Sequence, residues 1–368
     1  MGEKKITVIE LQDKLNNKDR VLILDVRPED QRQEWKIAGS THVDAYTQLN
    51  AGDDSAFDFV DIPENAMVVT VCAAGRTSLL AANLLERNGF NAYSLEGGMK
   101  AWNYAWNLAE TTFGNGAKVI QVRRPAKGVL SYMVGSSTEA IVIDASLDPH
   151  IYQKLAEQNG WTIKYVMDTH IHADFVSRTG ALASMTGAEH LLIDKAEVDF
   201  KFTPIVTGQI IKFGNSQLQF LHTPGHTWES TTLKLDDNAI FTGDTLFIDG
   251  IGRPDLKAKQ GEIIDKANSL YNSLRVLFSL DPLLLVFPAH TSNAIDFDNR
   301  IIADSIKTIR DTIQQLKMSQ SEFVNYTISN IPPTPPNYLS IAGINKNGLY
   351  DSQLLPDLEA GGNHCAIK

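Results

Sequence analysis

The chain has 368 residues, more than one ordinary domain of ~100 to 200 residues requires, so two domains are expected. Hydrophobic residues make up 43% and charged residues 21%, a globular composition that leaves little room for extended disorder. A net charge of -11 repels polyphosphate backbones and anionic membrane surfaces, which argues against nucleic acid as a partner.

The opening MGEKKITVIELQDK lacks the apolar core of a signal peptide, and runs such as Pro282 to Pro288 fall far short of the ~20 residues that span a bilayer. The expectation is a cytoplasmic protein without membrane insertion. The apolar, β-branched runs at 21–26 (VLILDV) and 67–72 (MVVTVC) predict strands buried on both faces of a parallel sheet. Residues 77–88 predict a helix with Leu79, Leu80, Ala82, Leu84 and Leu85 on one face, stopped by Gly89, and a further strand follows at 91–95. The stretch NLAETTFGNGAK after Trp106 is poor in large aliphatic residues and carries two glycines, so it reads as a junction. A first domain is thus expected over 1–109, a linker over 110–117, and a second domain over 118–320.

In the second domain short strands are predicted at 129–134, 140–144, 163–170, 218–223, 239–244 and 283–290, with helices between them. Several end in His or Asp. Ligating residues placed where buried strands run out into loops indicate a site at one edge of a sheet, so this domain is expected to be the catalytic one. IPPTPPNY then predicts an extended segment leading into an irregular extension, 321–368, packed on or near the second domain.

Two cysteines cannot build a disulfide framework. Cys72 closes an apolar strand, and the small residues Ala73, Ala74 and Gly75 with Arg76 lead into a helix whose positive end would favour a thiolate. An isolated Cys in such a place is more often an inert buried thiol, but the flanks decide otherwise. Leu24-Asp25-Val26-Arg27, Glu34-Trp35 with Ala38-Gly39, and Glu96-Gly97-Gly98-Met99-Lys100-Ala101-Trp102 resemble the signatures of rhodanese-like sulfurtransferases over roughly 5–108. That resemblance implies a parallel sheet with flanking helices and puts Cys72 at the persulfide-carrying nucleophile position, with Gly75 and Arg76 as substrate-binding candidates. The family loop usually has Arg at the fifth place after Cys, where this chain has Thr77. Asp25 and Arg27 read as a structural ion pair or loop anchor, and Cys365 as an ordinary tail thiol, against a second thiol near an active site.

His170, His172 and Asp174 fall within five residues, and His226, Asp244 and His290 follow at later strand ends. Neutral imidazoles and carboxylates converging on loops are metal-ligand chemistry. The order T-H-x-H-x-D, TPGHT, FTGD, GRPDL and PAH resembles the metallo-β-lactamase superfamily over about 118–320, which implies an αββα sandwich and an α/β fold class for the whole chain. Two-metal members continue as H-x-H-x-D-H, and here Phe175 stands at the last position. One metal is therefore expected. By resemblance to one-metal members its ligands are His170, His226 and Asp244, with His172, Asp174 and His290 in supporting roles.

FTGDTLF and GIGRPDL resemble the persulfide dioxygenase branch, which implies one Fe(II) oxidising glutathione persulfide with O2 to sulfite. Arg253 is then a candidate for pairing with a substrate carboxylate, against a loop salt bridge, and Trp228 and Glu229 read as packing. The rhodanese module would pass sulfur through Cys72 to or from thiosulfate. Superfamily resemblance also implies a homodimer or homotetramer. Two alternatives stand beside this reading: a glyoxalase II-like zinc thioester hydrolase, against which Phe175 argues, and a non-catalytic sulfide-sensing protein, against which the intact His170, His226 and Asp244 argue.

Overall fold

Apolar β-branched strands need cover on both faces, and the chain supplies it twice. The computed structural model describes residues 4–63, 65–256, 258–259 and 261–368, so the first three residues of the chain lie outside it. The N-terminal unit is a five-stranded parallel sheet in the order Lys5–Ile6, Asn91–Leu95, Met67–Val71, Val21–Asp25 and Thr41–His42. The helix Arg76–Arg87 packs on it through Ala81, Ala82, Leu84 and Leu85. Leu80 was expected on that face but is exposed, and Ala81 is buried in its place.

The second unit is two sheets face to face. Seven strands run in the order Thr203–Ile205, Glu189–Ile193, Thr162–Met167, Glu139–Ile143, Val129–Ser136, Lys118–Arg124 and Asn107–Thr112. Six more run Ile210–Phe213, Ser216–His222, Thr231–Leu235, Ala239–Gly243, Leu285–Pro288 and Asp304–Ser305. Tyr132, Val134, Ile141, Phe220, Phe241 and Phe287 meet between the sheets in the central core. Outside it, Tyr152, Leu155 and Leu182 cover the first sheet, while Leu270 and Leu274 of the helix Glu262–Phe278 cover the second. The result is the αββα sandwich.

Two expected boundaries change. Residues 110–117 are not a linker: Asn107–Thr112 pairs antiparallel with Lys118–Arg124 from Asn107↔Arg123 to Thr112↔Lys118, so the two glycines sit at or beside a hairpin turn within the second unit. The extension is also more regular than its composition suggests. It contains the helices Gln320–Ser329 and Tyr338–Asn347 and a last strand, Ala366–Ile367, which pairs with Ile251–Gly252. Glu359 ties it to both units, since its carbonyl accepts from Asn103 and its buried carboxylate lies 2.9 Å from both Arg124 and Arg178. No helix among the described residues is long and apolar enough to cross a membrane.

Candidate functional site

In the first unit the buried Cys72 Sγ accepts from the Gly75 N–H at 3.2 Å and the Ser78 hydroxyl at 3.3 Å. The Gly97-Gly98 element explains itself here. Gly98 has φ +56°, and a Cβ on it would lie 2.3 Å from the Cys72 carbonyl oxygen, which accepts from Met99 N–H at 2.8 Å. Arg76 is exposed at the start of the helix, while Thr77 is buried. Asp25 and Arg27 form the expected buried pair, with Arg27 Nε 2.9 Å from Asp25 Oδ1 and Nη2 2.7 Å from Oδ2; Arg27 also donates to the Trp35 carbonyl.

In the second unit, strand ends assemble the other site. Ala239–Gly243 and Leu285–Pro288 run parallel with Gly243 opposite Pro288, so the next residues, Asp244 and Ala289-His290, leave the sheet side by side. Gly243, at φ +54°, permits this because a Cβ there would strike Thr169 Oγ1 at 2.5 Å. His170, His226 and Asp244 come together, each buried, with Asp244 Oδ2 lying 3.7 Å from His170 Nε2 and 3.6 Å from His226 Nε2. Both imidazoles are aimed. Thr169 donates to Asp144, which leaves its oxygen to accept from His170 Nδ1 at 3.0 Å, and His226 Nδ1 donates to the Arg253 carbonyl at 2.8 Å. Each ring therefore presents a bare Nε2 toward the carboxylate.

The supporting residues take definite places. His172 Nε2 is 3.1 Å from Asp144 Oδ1. His290 stands between two carboxylates, with Nδ1 2.5 Å from Asp244 Oδ1 and Nε2 2.8 Å from Asp174 Oδ2. Burial would lower its pKa, but the two carboxylates raise it to about 10. Burial alone would raise Asp174 and Asp244, and the His290 charge overrides it and holds both low. Burial, followed by the neighbouring histidines, pushes His170 well down, and burial likewise lowers His226, so both are neutral as metal ligands must be.

Asp174 Oδ1, Asp244 Oδ2 and His172 Nδ1 are buried here without a hydrogen-bond partner, and Asp174 Oδ2 and His290 Nε2 have only each other, at 2.8 Å. Orphaned carboxylate oxygens and ring nitrogens in one buried cluster cost several kcal/mol each unless something satisfies them, and a cation does so. The residues present fit a metal. Phe175 is fully buried with its ring 4.1 Å from that of His172, an apolar group in place of another ligand.

Three expectations are corrected. Arg253 is not available to a substrate: it is fully buried, its guanidinium is bidentate to Asp255, and the remaining donors go to the carbonyls of Pro332, Pro333 and His364. Trp228 is not packing. It is exposed and lines a cavity of about 400 Å³ with the lysines Lys195, Lys259 and Lys346 and the carboxylates of Glu197, Glu229 and Glu262, while Glu229 accepts from Ile171 N–H at 3.1 Å. Cys365 is no ordinary tail thiol. It is buried, and its sulfur lies within 4.8 Å of ligand atoms of Asp174 and His290; burial, then the Asp244 and Asp174 charges, push its pKa well up. Asp144, which closes a predicted strand, and Asp168, which accepts from Ser177 and Thr179 and stands two residues before His170, were not singled out in the sequence, and Cys365 lies in no motif with the others.

Residues 7–105 match the description "Rhodanese-like domain" and residues 124–290 "Metallo-beta-lactamase superfamily". "Persulfide dioxygenase ETHE1, mitochondrial" of Mus musculus is 30% identical over 235 residues, 62% of this chain and 87% of that protein. A "Hydroxyacylglutathione hydrolase" of Francisella philomiragia subsp. philomiragia is 27% identical over 202 residues, 53% of this chain and 77% of its own length. The solved structure of ETHE1 from Myxococcus xanthus superposes with a TM-score of 0.53 at 26% identity, covering 65% of this chain and 98% of that one. The chain thus belongs to the persulfide dioxygenase-related enzymes of the metallo-β-lactamase superfamily, and it carries a rhodanese-like domain ahead of the metal-site domain.

Proposed function

We propose that the protein oxidises a low-molecular-weight thiol persulfide, glutathione persulfide or a close analogue, with O2 to sulfite, and moves sulfane sulfur to or from thiosulfate through Cys72. The observation that carries this reading is the buried set of His170, His226 and Asp244 beside an apolar Phe175. One Fe(II) held by those three residues would supply open positions for a sulfur ligand and O2. His290 and Thr169 keep Asp244 and His170 in place, so the donor set needs little reorganisation.

With Arg253 engaged elsewhere, the lysines of the mixed-charge cavity beside Trp228 are the cationic groups proposed to meet the carboxylates of the carrier thiol, Lys346 lying 3.7 Å from Glu197 in the same cavity. The protein as a whole is acidic, so attraction of an anionic substrate has to be local. Reversing two of these charges in Lys259→Glu/Lys346→Glu is expected to raise KM for glutathione persulfide about tenfold with a smaller change in kcat. An unchanged KM would move the substrate elsewhere.

The hydroxyacylglutathione hydrolase relative keeps thioester hydrolysis as a second reading. Anaerobically purified, iron-loaded protein should consume O2 with glutathione persulfide and leave S-lactoylglutathione intact; thioester hydrolysis without O2 uptake would overturn the proposal. Cys72→Ser should abolish transfer between thiosulfate and a thiol and leave O2 uptake largely intact. Transfer that persists in that variant would remove Cys72 from its role.

A further inference from the structure

We infer that the C-terminal extension belongs to the metal centre, with Asn345 as the positioning residue through which the helix Tyr338–Asn347 fixes the loop from His172 to Ser177. This assignment rests on the reading of His170, His226 and Asp244 as metal ligands, and the segment it adds lies outside residues 124–290, the span of the superfamily match. The loop is neither helix nor strand, so its buried backbone groups need partners from elsewhere. Asn345 serves three of them. Its Nδ2 donates to the His172 carbonyl at 2.9 Å and to the Phe175 carbonyl at 2.8 Å, and its Oδ1 accepts from Ser177 N–H at 2.8 Å. Both amide hydrogens and the amide oxygen are thereby used, and a flipped amide would lose all three bonds. Glu359, also in the extension, takes the intervening Val176 N–H. Apolar contacts follow the same line: Ala173 packs with Ala342 and Tyr338, and Val176 with Ile341 and Leu355.

Two contacts carry the loop's position to the ligands. The carbonyls held by Asn345 flank Asp174, whose Oδ2 lies 2.8 Å from His290 Nε2, and His290 Nδ1 in turn holds Asp244 Oδ1 at 2.5 Å. The His172 ring lies 4.1 Å from that of His170. A shift of the loop therefore displaces a carboxylate ligand and an imidazole ligand together. Loss of an orienting partner of this kind costs ~10 to 100-fold in metal affinity.

The test titrates full-length, chelator-stripped protein with Co(II) and follows amide hydrogen exchange of the metal-free protein. Asn345→Asp keeps the shape and the acceptor for Ser177 but sets a carboxylate oxygen against two carbonyls. It should weaken Co(II) binding ~10-fold and alter the visible Co(II) absorption. A negative charge added near a cation would by itself tighten binding, so weakening reports lost positioning. Asn345→Ala, which adds no charge, should weaken binding as well and speed exchange of the Ser177 N–H, while the helix Glu262–Phe278 keeps its protection and shows that the second unit still folds. Asn347→Asp, on the same helix, keeps the acceptor for Leu349 N–H and should bind Co(II) as the parent protein does. Parent-like Co(II) affinity in both Asn345 variants, or parent-like exchange at Ser177 in Asn345→Ala, would overturn the inference. A parent protein that binds no Co(II) would overturn the metal reading and this assignment with it, and the exchange at Ser177 tells the two failures apart.

Discussion

Replacing Asp244 by Ala is expected to strip the metal position and stop O2 uptake, while sulfur transfer through Cys72 continues. Asp244 Oδ2 is the carboxylate oxygen that His170 and His226 share, at 3.7 and 3.6 Å, and among the described residues no other carboxylate is grouped with that pair. Its Oδ1 also holds His290 Nδ1 at 2.5 Å, so the change releases that imidazole as well. Removing a group that merely orients a ligand costs ~10 to 100-fold in affinity or activity, and loss of a ligand itself should exceed that. Metal content after dialysis checks the first claim. Thiosulfate-to-thiol transfer serves as the control that the chain still folds. An Asp244→Ala protein that keeps its metal would remove this carboxylate from the site.

The second large effect lies away from the metal. Glu359→Ala should destabilise the protein by ~3 to 5 kcal/mol, because it leaves Arg124 and Arg178 buried without their common partner. The Glu359 side chain is fully buried, and its Oε1 also accepts from Val176 N–H at 3.1 Å. For a chain of this length that loss corresponds to a Tm lower by roughly 5 °C. Cys365 should become accessible as well, since the segment that carries it is anchored at Glu359 and at the strand Ala366–Ile367. The check is a thermal melt together with the rate of thiol alkylation at Cys365. An unchanged Tm and an unreactive Cys365 would show that the extension is held by its other contacts.

Legibility in the sequence followed the range of the interactions. The strands of the first sheet could be read because Val21–Asp25 and Met67–Val71 are continuous apolar runs whose pattern is local. The strand Asn107–Thr112 was taken for a linker because it alternates small and polar residues, and only pairing with Lys118–Arg124 makes it a strand. The helix Tyr338–Asn347 escaped for a related reason: its amphipathic pattern is weak, and Ile341 and Ala342 are buried by tertiary packing.

Composition and motifs by themselves pointed to two units, a cysteine loop at a helix start, and a set of histidines and aspartates with metal-ligand chemistry. Ligand identity is legible because the metal's chemistry restricts which residue types can stand at each strand end. The tertiary structure alone decided which groups are free to act. Arg253 looked available and is consumed by Asp255 and three carbonyls, while the lysines near Trp228, scattered along the chain, line one cavity. Cys365 changed most. A chain with two cysteines offers no local sign that the second comes to lie beside Asp174 and His290, because what places it there is a strand pairing between Ile251–Gly252 and the last residues. Such non-local pairings depend on register and burial, which motif spacing does not encode.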